Sequence, residues 1–213
     1  MTPREVVLGR TRLQRPPVVP ELELHLADDM DEAWACLQRE LDDGTLPPPF
    51  WAFAWLGGQA VARHVLDAPD LVRGRTVLDL ATGSGLCALA AVRAGAAQVT
   101  AVDVDAYAVE AARLNAAHNG LPLDVVCADL LDAPPPAVDV LLAGDVFYDA
   151  AMSERVQPWL LAARRAATVV VVGDPGRHYL PRALMRERAA YDVPTTRDLE
   201  GVEVKRVVVY ELG

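Results

Sequence analysis

The segment Val77-Leu78-Asp79-Leu80-Ala81-Thr82-Gly83-Ser84-Gly85-Leu86 constrains the fold of this chain more than any other. A short apolar run ends in an acid, passes through two glycines one residue apart, and gives way to a helix-forming stretch. Glycines at such a junction let the backbone turn tightly and approach a ligand with no Cβ between them. The unit is strand, loop, helix, and a helix that follows a buried strand must cross back to a parallel neighbour. Taken alone the loop is ambiguous. Gly83-Ser84-Gly85-Leu86-Cys87-Ala88 matches the GxGxxA form that cradles a dinucleotide pyrophosphate, and a tight turn with no ligand needs the same glycines.

The alternation continues. Strands are predicted at Thr76–Leu80, Val99–Val102, Leu123–Cys127, Val138–Ala143 and Thr168–Val172, and helices at Leu86–Ala94, Ala106–His118 and Ala151–Ala166. His178–Ala189 reads as a helix, and Tyr191–Thr195 and Val204–Leu212 as two strands joined by a turn near Glu200-Gly201. Such a series predicts an α/β fold: a mostly parallel sheet with helices on both faces, closed by an antiparallel hairpin. With 52% apolar but only 6% aromatic residues, Ala, Val and Leu must fill the core, which suits strands buried on both faces. Upstream of Pro47-Pro48-Pro49, Leu22, Leu24 and Leu26 alternate with Glu23 and His25, which predicts a half-buried strand. Asp28–Leu41 follows as a helix with an acidic first turn. The expected organisation is a strand/helix extension over 1–46 and a main domain over 47–213.

Three carboxylates narrow the meaning of the loop. Asp79 closes the first strand, where it would repel a pyrophosphate but tolerate the positive end of an amino acid. Asp103 closes the second strand, about 20 residues on, where a carboxylate can accept both hydrogen bonds of a ribose diol. Asp105 is its rival, although a position at the start of the next helix equally suits an N-cap. Asp129 follows the third strand, placed to accept from an exocyclic adenine amine. Amino-acid end, ribose and adenine together describe S-adenosylmethionine.

The stretch from Asp79 to Asp129 resembles the class I S-adenosylmethionine-dependent methyltransferases. The resemblance implies a Rossmann-like seven-stranded sheet with an antiparallel C-terminal strand. It also implies cofactor contacts from Asp79, Ala81, Gly83, Gly85, Asp103 and Asp129. Ala81 stands where the family usually has the first glycine of its loop.

The substrate end is expected beyond the fourth strand, at Gly144-Asp145-Val146-Phe147-Tyr148. Methyl transfer is an in-line displacement whose chief demand is alignment. An amine acceptor must also be unprotonated, and a nearby carboxylate raises an amine's pKa. Asp145 therefore suits orienting the amine through a hydrogen bond, with Tyr148 as an aromatic wall or second hydrogen bond; alternatively Asp145 caps the turn while Phe147 and Tyr148 pack. Pro49 to Gln59 gathers two of the four tryptophans and two of the three phenylalanines, as a satellite core or as a cover over the cofactor. Arg177, in Gly173-Asp174-Pro175-Gly176-Arg177, either holds a substrate carboxylate or braces Asp174. These three segments are similar to the lysine methyltransferases of the electron-transfer flavoprotein β-subunit, within a wider set marked by Asp-x-x-Tyr. That resemblance implies a protein substrate, the flavoprotein β-subunit, with Asp145 and Tyr148 at the acceptor and Trp55 and Asp145 near the cofactor. Leu56 replaces the proline usual there. A small-molecule N-methyltransferase of the nicotinamide type, or one acting on a ribosomal protein, is the alternative.

A formal charge of −10 opposes non-specific nucleic-acid binding. Cys36, Cys87 and Cys127 lack the close pairing of a metal site, and no metal is expected. With no apolar run near the roughly 20 residues needed to span a bilayer and no secretory leader, the expectation is a cytoplasmic monomer that touches neither membrane nor nucleic acid.

Overall fold

The computed structural model describes residues 1–40, 44–166, 168–195 and 201–213. Its centre is a seven-stranded sheet. In chain order the main-domain elements are α3 (Leu56–Asp67), β3 (Thr76–Leu80), α4 (Leu86–Arg93), β4 (Gln98–Asp103), α5 (Ala106–Asn119), β5 (Asp124–Cys127), β6 (Val140–Gly144), α6 (Ala150–Arg165), β7 (Val169–Asp174), β8 (Met185–Pro194) and β9 (Val204–Leu212). They are preceded by α1 (Pro3–Arg10), β1 (Arg12–Gln14), β2 (Leu24–Leu26) and α2 (Met30–Glu40). The sheet runs β5-β4-β3-β6-β7-β9-β8. The first five strands in that order are parallel, and β9 lies antiparallel between β7 and β8. Strand order reverses between β3 and β6, and such a switch point opens a crevice above the strands' carboxyl ends.

Period-two alternation explains the two packed faces. Val77, Val99, Ala101, Val140, Leu142 and Val171 point to one side, where they meet α3 and α4. Leu78, Leu80, Val102, Leu141, Ala143, Val170 and Val172 point to the other, against Val156, Trp159 and Leu160 of α6. Both faces are covered, so β6 and β7 read as unbroken apolar runs in the sequence.

The expected helix over His178–Ala189 does not form. A short 3-10 turn at Arg182–Leu184 leads directly into the ten-residue strand β8. This is an edge strand of the sheet, its charged residues Arg186, Glu187 and Arg188 stand consecutively rather than in alternation, and a β-bulge between Glu187 and Ala189 breaks the register. A solvated, bulged edge strand carries little period-two signal, and Arg, Glu, Leu, Met and Ala are strong helix formers. Arg186 and Arg188 both pair with Glu211 on β9, a cross-strand attachment invisible in local sequence. The turn expected near Glu200-Gly201 lies partly outside the described residues.

Two helices were not anticipated. α1 begins at a capping box in which Thr2 and Glu5 satisfy one another's backbone amides. α3 follows Trp55 directly and holds the Gly57-Gly58 pair in its first turn, which masks its helical character. The strand read at Leu22–Leu26 is present as β2, paired antiparallel with β1. Asn115 and Asn119 on α5 accept the backbone N–H groups of His25 (2.7 Å) and Glu23 (3.1 Å), pinning this hairpin to the main domain. Among the described residues no helix is long and apolar enough to cross a membrane.

Candidate active site

The loop after β3 is wound around buried carboxylates. Asp79 is 1% exposed. Its Oδ2 accepts from the Thr82 hydroxyl (2.5 Å) and from the backbone N–H of Ala88 (3.0 Å), tying the loop to the first turn of α4. Burial pushes its carboxyl up to about 7, against the opposing pull of those two hydrogen bonds. Asp79 therefore acts on the loop from beneath. Ala81, Gly83 and Gly85 all take left-handed backbone, with φ of 53°, 53° and 85°. A Cβ on Gly85 would stand 3.1 Å from that of Ala112, so this glycine lets α4 and α5 approach. A Cβ on Gly83 would meet only the Trp51 Cα, at 3.9 Å. The open side of the loop thus faces the short turn Phe50–Ala52.

Asp103, at the end of β4, spans this loop and its own strand end. Its Oδ2 accepts the Gly83 N–H at 2.9 Å and its Oδ1 the Asp105 N–H at 3.0 Å. Burial raises its carboxyl above the ordinary range. Asp105 is turned back on α5, accepting from the Tyr107 N–H at 2.8 Å as the helix N-cap. Of the two ribose candidates, Asp103 is the one joined to the glycine loop. Asp129 stands after β5, bonded to Arg155 (2.8 Å) and to the Leu131 N–H (3.0 Å). The guanidinium holds its carboxyl below the ordinary range. No local pattern signals this partner, which arrives from α6.

Just after β6, Asp145 is a non-glycine residue in left-handed backbone, φ 56°. Such strain persists where surrounding structure holds it and clusters at functional sites. Here three attachments hold it. Its N–H donates to the Gly173 carbonyl (2.9 Å), its Oδ2 accepts from the Gly58 N–H at the start of α3 (2.9 Å), and its Oδ1 lies 3.5 Å from the Arg177 guanidinium. Oδ1 is buried without a hydrogen-bond partner. Burial pushes the carboxyl up to about 6, with Arg177 and the Gly58 amide resisting. A carboxylate at a helix N-terminus is favoured by the exposed amides and the dipole.

This bedding requires glycines that sequence reasoning passed over. A Cβ on Gly57 would lie 2.2 Å from the Gly173 carbonyl oxygen and 2.6 Å from Asp145 Oδ2. One on Gly144 would lie 2.6 Å from the Gly58 Cα, and one on Gly173 would lie 2.1 Å from the Gly57 oxygen. Helix α3 therefore sits directly on the ends of β6 and β7. The visible signal was a glycine at the end of each strand and a pair at the start of a helix.

The aromatic segment lies beside this site. Phe50 packs on Trp55 and on Tyr148, each pair with ring centroids 5.7 Å apart, and Phe53 also meets Trp55. The Trp55 indole donates to the Phe50 carbonyl at 2.8 Å, and buried Gln59 donates to the Ala54 carbonyl at 2.7 Å. Trp51 is buried and stacks on Tyr107. The segment is thus divided: Trp51 belongs to a satellite core, while Phe50, Trp55 and the half-exposed Tyr148 form an aromatic wall near Asp145. Arg177 braces Asp174 through its backbone N–H (2.6 Å) and turns its guanidinium to Asp145.

The chain is similar to known proteins in sequence and in fold. Residues 63–144 match the family model described as ribosomal protein L11 methyltransferase (PrmA). The chain is 38% identical over 177 residues to the electron transfer flavoprotein beta subunit lysine methyltransferase of Xenopus laevis, covering 82% of this chain and 71% of that protein. To the protein of that name from Rattus norvegicus it is 36% identical over 199 residues, covering 89% and 76%. Among solved structures, magnesium protoporphyrin IX methyltransferase from Synechocystis PCC 6803 with bound SAM superposes with a TM-score of 0.53 at 16% identity, covering 73% of this chain and 78% of that one. That likeness is one of fold.

Proposed function

The chain belongs to the electron transfer flavoprotein beta subunit lysine methyltransferase family and is a methyltransferase, and on that premise we propose that it methylates lysine side chains of an electron-transfer flavoprotein β-subunit with S-adenosylmethionine as donor. The observation that carries the acceptor side is Asp145: one oxygen anchored on α3, the other buried without a hydrogen bond, above the switch point and three residues from Tyr148. An arriving amine N–H satisfies that oxygen. The match to the L11 methyltransferase model stops at Gly144, one residue short of Asp145, so it speaks for the cofactor half and not for that acceptor.

The residues suit the donor. Gly83 presents a face where a Cβ would meet only the Trp51 Cα, at van der Waals distance, and its loop is braced by the carboxylates of Asp79 and Asp103 rather than by cations. That donor set fits a phosphate-free ligand with a positive amino-acid end and a ribose diol. Asp103 would accept from the ribose hydroxyls. The loop backbone from Ala81 to Gly85, held by Asp79, would receive the amino-acid end. Asp129 would take the adenine amine on lone pairs left beside its Arg155 pair, and Trp55 would cover the cofactor. When bound, S-adenosylmethionine supplies a methyl carbon on a sulfonium: the amine's lone pair forms the N–C bond as the C–S bond breaks, and sulfur keeps the electron pair. The protein's share is alignment. Asp145 orients the amine through Oδ1, and Tyr148 with Phe50 forms the wall along which an aliphatic lysine stem lies.

The test is to incubate the protein with labelled S-adenosylmethionine and purified flavoprotein, then map the methyl groups by mass spectrometry. Labelled lysines are expected on the β-subunit. Label at background level there defeats the acceptor assignment.

A further inference from the structure

Arg177 is carried by a turn built for it. Asp174, fully buried at the end of β7, accepts the N–H groups of Gly176 and Arg177 on one oxygen, each at 2.6 Å, and Gly176 takes left-handed backbone at φ 93°. β7 pairs with β6, so this turn delivers the guanidinium beside Asp145, 3.5 Å from Oδ1. The separation is that of an ion pair, yet Oδ1 takes no hydrogen bond from it. The cation is felt, while the oxygen's lone pairs stay open.

The remaining neighbours of Asp145 do not supply that charge. Among the described residues, α3 contributes the amides of Gly57 and Gly58, α4 the neutral thiol of Cys87, and the β7 turn the carboxylate of Asp174. A lysine amine beside an unbalanced carboxylate pair is held as ammonium, whose nitrogen has no lone pair to give.

Resting on the acceptor reading above, we infer that Arg177 is a positioning residue that balances Asp145, so that the acceptor amine docks as the neutral nucleophile instead of being trapped as an ammonium ion. Asp145 can then direct the amine by accepting one N–H without also fixing its proton. At an effective dielectric near 20, a unit charge several ångströms from the amine shifts its titration by about one pH unit or more.

The experiment compares wild type, Arg177→Gln and Arg177→Lys on the flavoprotein, measuring kcat and KM from pH 6.5 to 9.5. It also follows the Asp145 carboxyl carbon by NMR in each free enzyme. Arg177→Gln is expected to move the rising limb of kcat to higher pH by about one unit, a loss of about tenfold near neutral pH, with KM unchanged or lower. Arg177→Lys is expected to bring the limb back. A uniform fall in kcat at every pH, or a loss confined to a higher KM, overturns the inference while leaving the flavoprotein as substrate. If wild type leaves the flavoprotein unlabelled, the acceptor reading fails, and the NMR titration then decides. A rise of the Asp145 midpoint in Arg177→Gln supports the charge balance, and an unmoved midpoint overturns it.

Discussion

Replacing Gly57 by alanine is the sharpest structural test of how Asp145 is held. The added Cβ would stand 2.2 Å from the Gly173 carbonyl oxygen, 2.6 Å from Asp145 Oδ2 and 2.7 Å from the Gly173 carbonyl carbon. Two of these are backbone atoms of a central strand, so no rotamer change relieves the clash. Restoring ordinary contact near 3.4 Å requires α3 to retreat by about 1 Å. The Gly58 N–H to Asp145 bond, now 2.9 Å, then opens beyond hydrogen-bonding range. Overpacking costs about 1–3 kcal/mol, and losing a hydrogen bond to a charged group about 1.5–3 kcal/mol. Against these stands the helix preference for alanine over glycine, about 1 kcal/mol at most. The unfavourable terms win, for a net loss of about 2–4 kcal/mol by urea denaturation. Without the amide, the Asp145 carboxyl rises further from its present value of about 6. Methyl transfer should then suffer more at pH 6.5 than at pH 8.5. Gly58→Ala is the internal control, because its Cβ would meet only the Cys87 sulfur at 3.8 Å, and it should match wild type or exceed it slightly. Stability of Gly57→Ala within 0.5 kcal/mol of wild type, with an unaltered pH profile, would refute the claim that α3 is seated on the strand ends through this glycine.

Other outcomes follow from the same geometry. Asp103→Ala should weaken S-adenosylmethionine binding by roughly 1.5–3 kcal/mol in calorimetry through loss of charge-assisted hydrogen bonds; unaltered affinity would remove Asp103 from the ribose site. Ala81→Gly relieves a left-handed alanine at φ 53° and should raise stability by roughly 0.5–1 kcal/mol; a destabilised variant would show that the alanine methyl packs usefully. Asp145 carries a carboxyl raised from 3.8 to about 6, so between those pH values the folded chain binds a proton that the unfolded chain has released. Its contribution is greatest at low pH and is lost as pH rises through 6, a change of about 3 kcal/mol. Asp145→Asn should flatten that part of the stability curve measured by urea denaturation from pH 4 to 7.5, and a curve parallel to wild type would count against the raised carboxyl. The same variant should abolish methyl transfer while leaving cofactor affinity largely intact.

Where the sequence could be read, the reason lay in local pattern. The central parallel strands were visible because both faces of the sheet are covered there, so apolar residues run without interruption from Val140 to Ala143 and from Val169 to Val172. The failure at His178–Ala189 has the opposite cause. β8 has one neighbour in the sheet, a bulge at Glu187/Ala189 and arginines whose partner Glu211 lies on another strand. Nothing within the segment itself distinguishes it from a charged helix. α3 was obscured because its first turn answers to the strands beneath it: glycine weakens a helix, yet here a side chain at Gly57 would strike the Gly173 carbonyl.

The two halves of the site differ in the same way. On the proposed cofactor side, Asp79, Gly83 and Asp103 come from one strand–loop–helix–strand run, and Asp103 reaches the loop because β3 and β4 are paired neighbours. Proximity in sequence becomes proximity in space with little help from the rest of the fold. The proposed acceptor side joins Gly58, Asp145 and Arg177 from three separate stretches, and the crossovers that set α3 against β6 and β7 bring them together. Residue types there could nominate Asp145, but not the α3 amide that holds one of its oxygens or the guanidinium that faces the other. A carboxylate's chemical role is fixed by what surrounds it, since its charge, its free lone pairs and the proton on an incoming amine all depend on those partners. The acceptor chemistry proposed for this chain is therefore a property of its topology, whereas the proposed donor site is close to a property of its sequence.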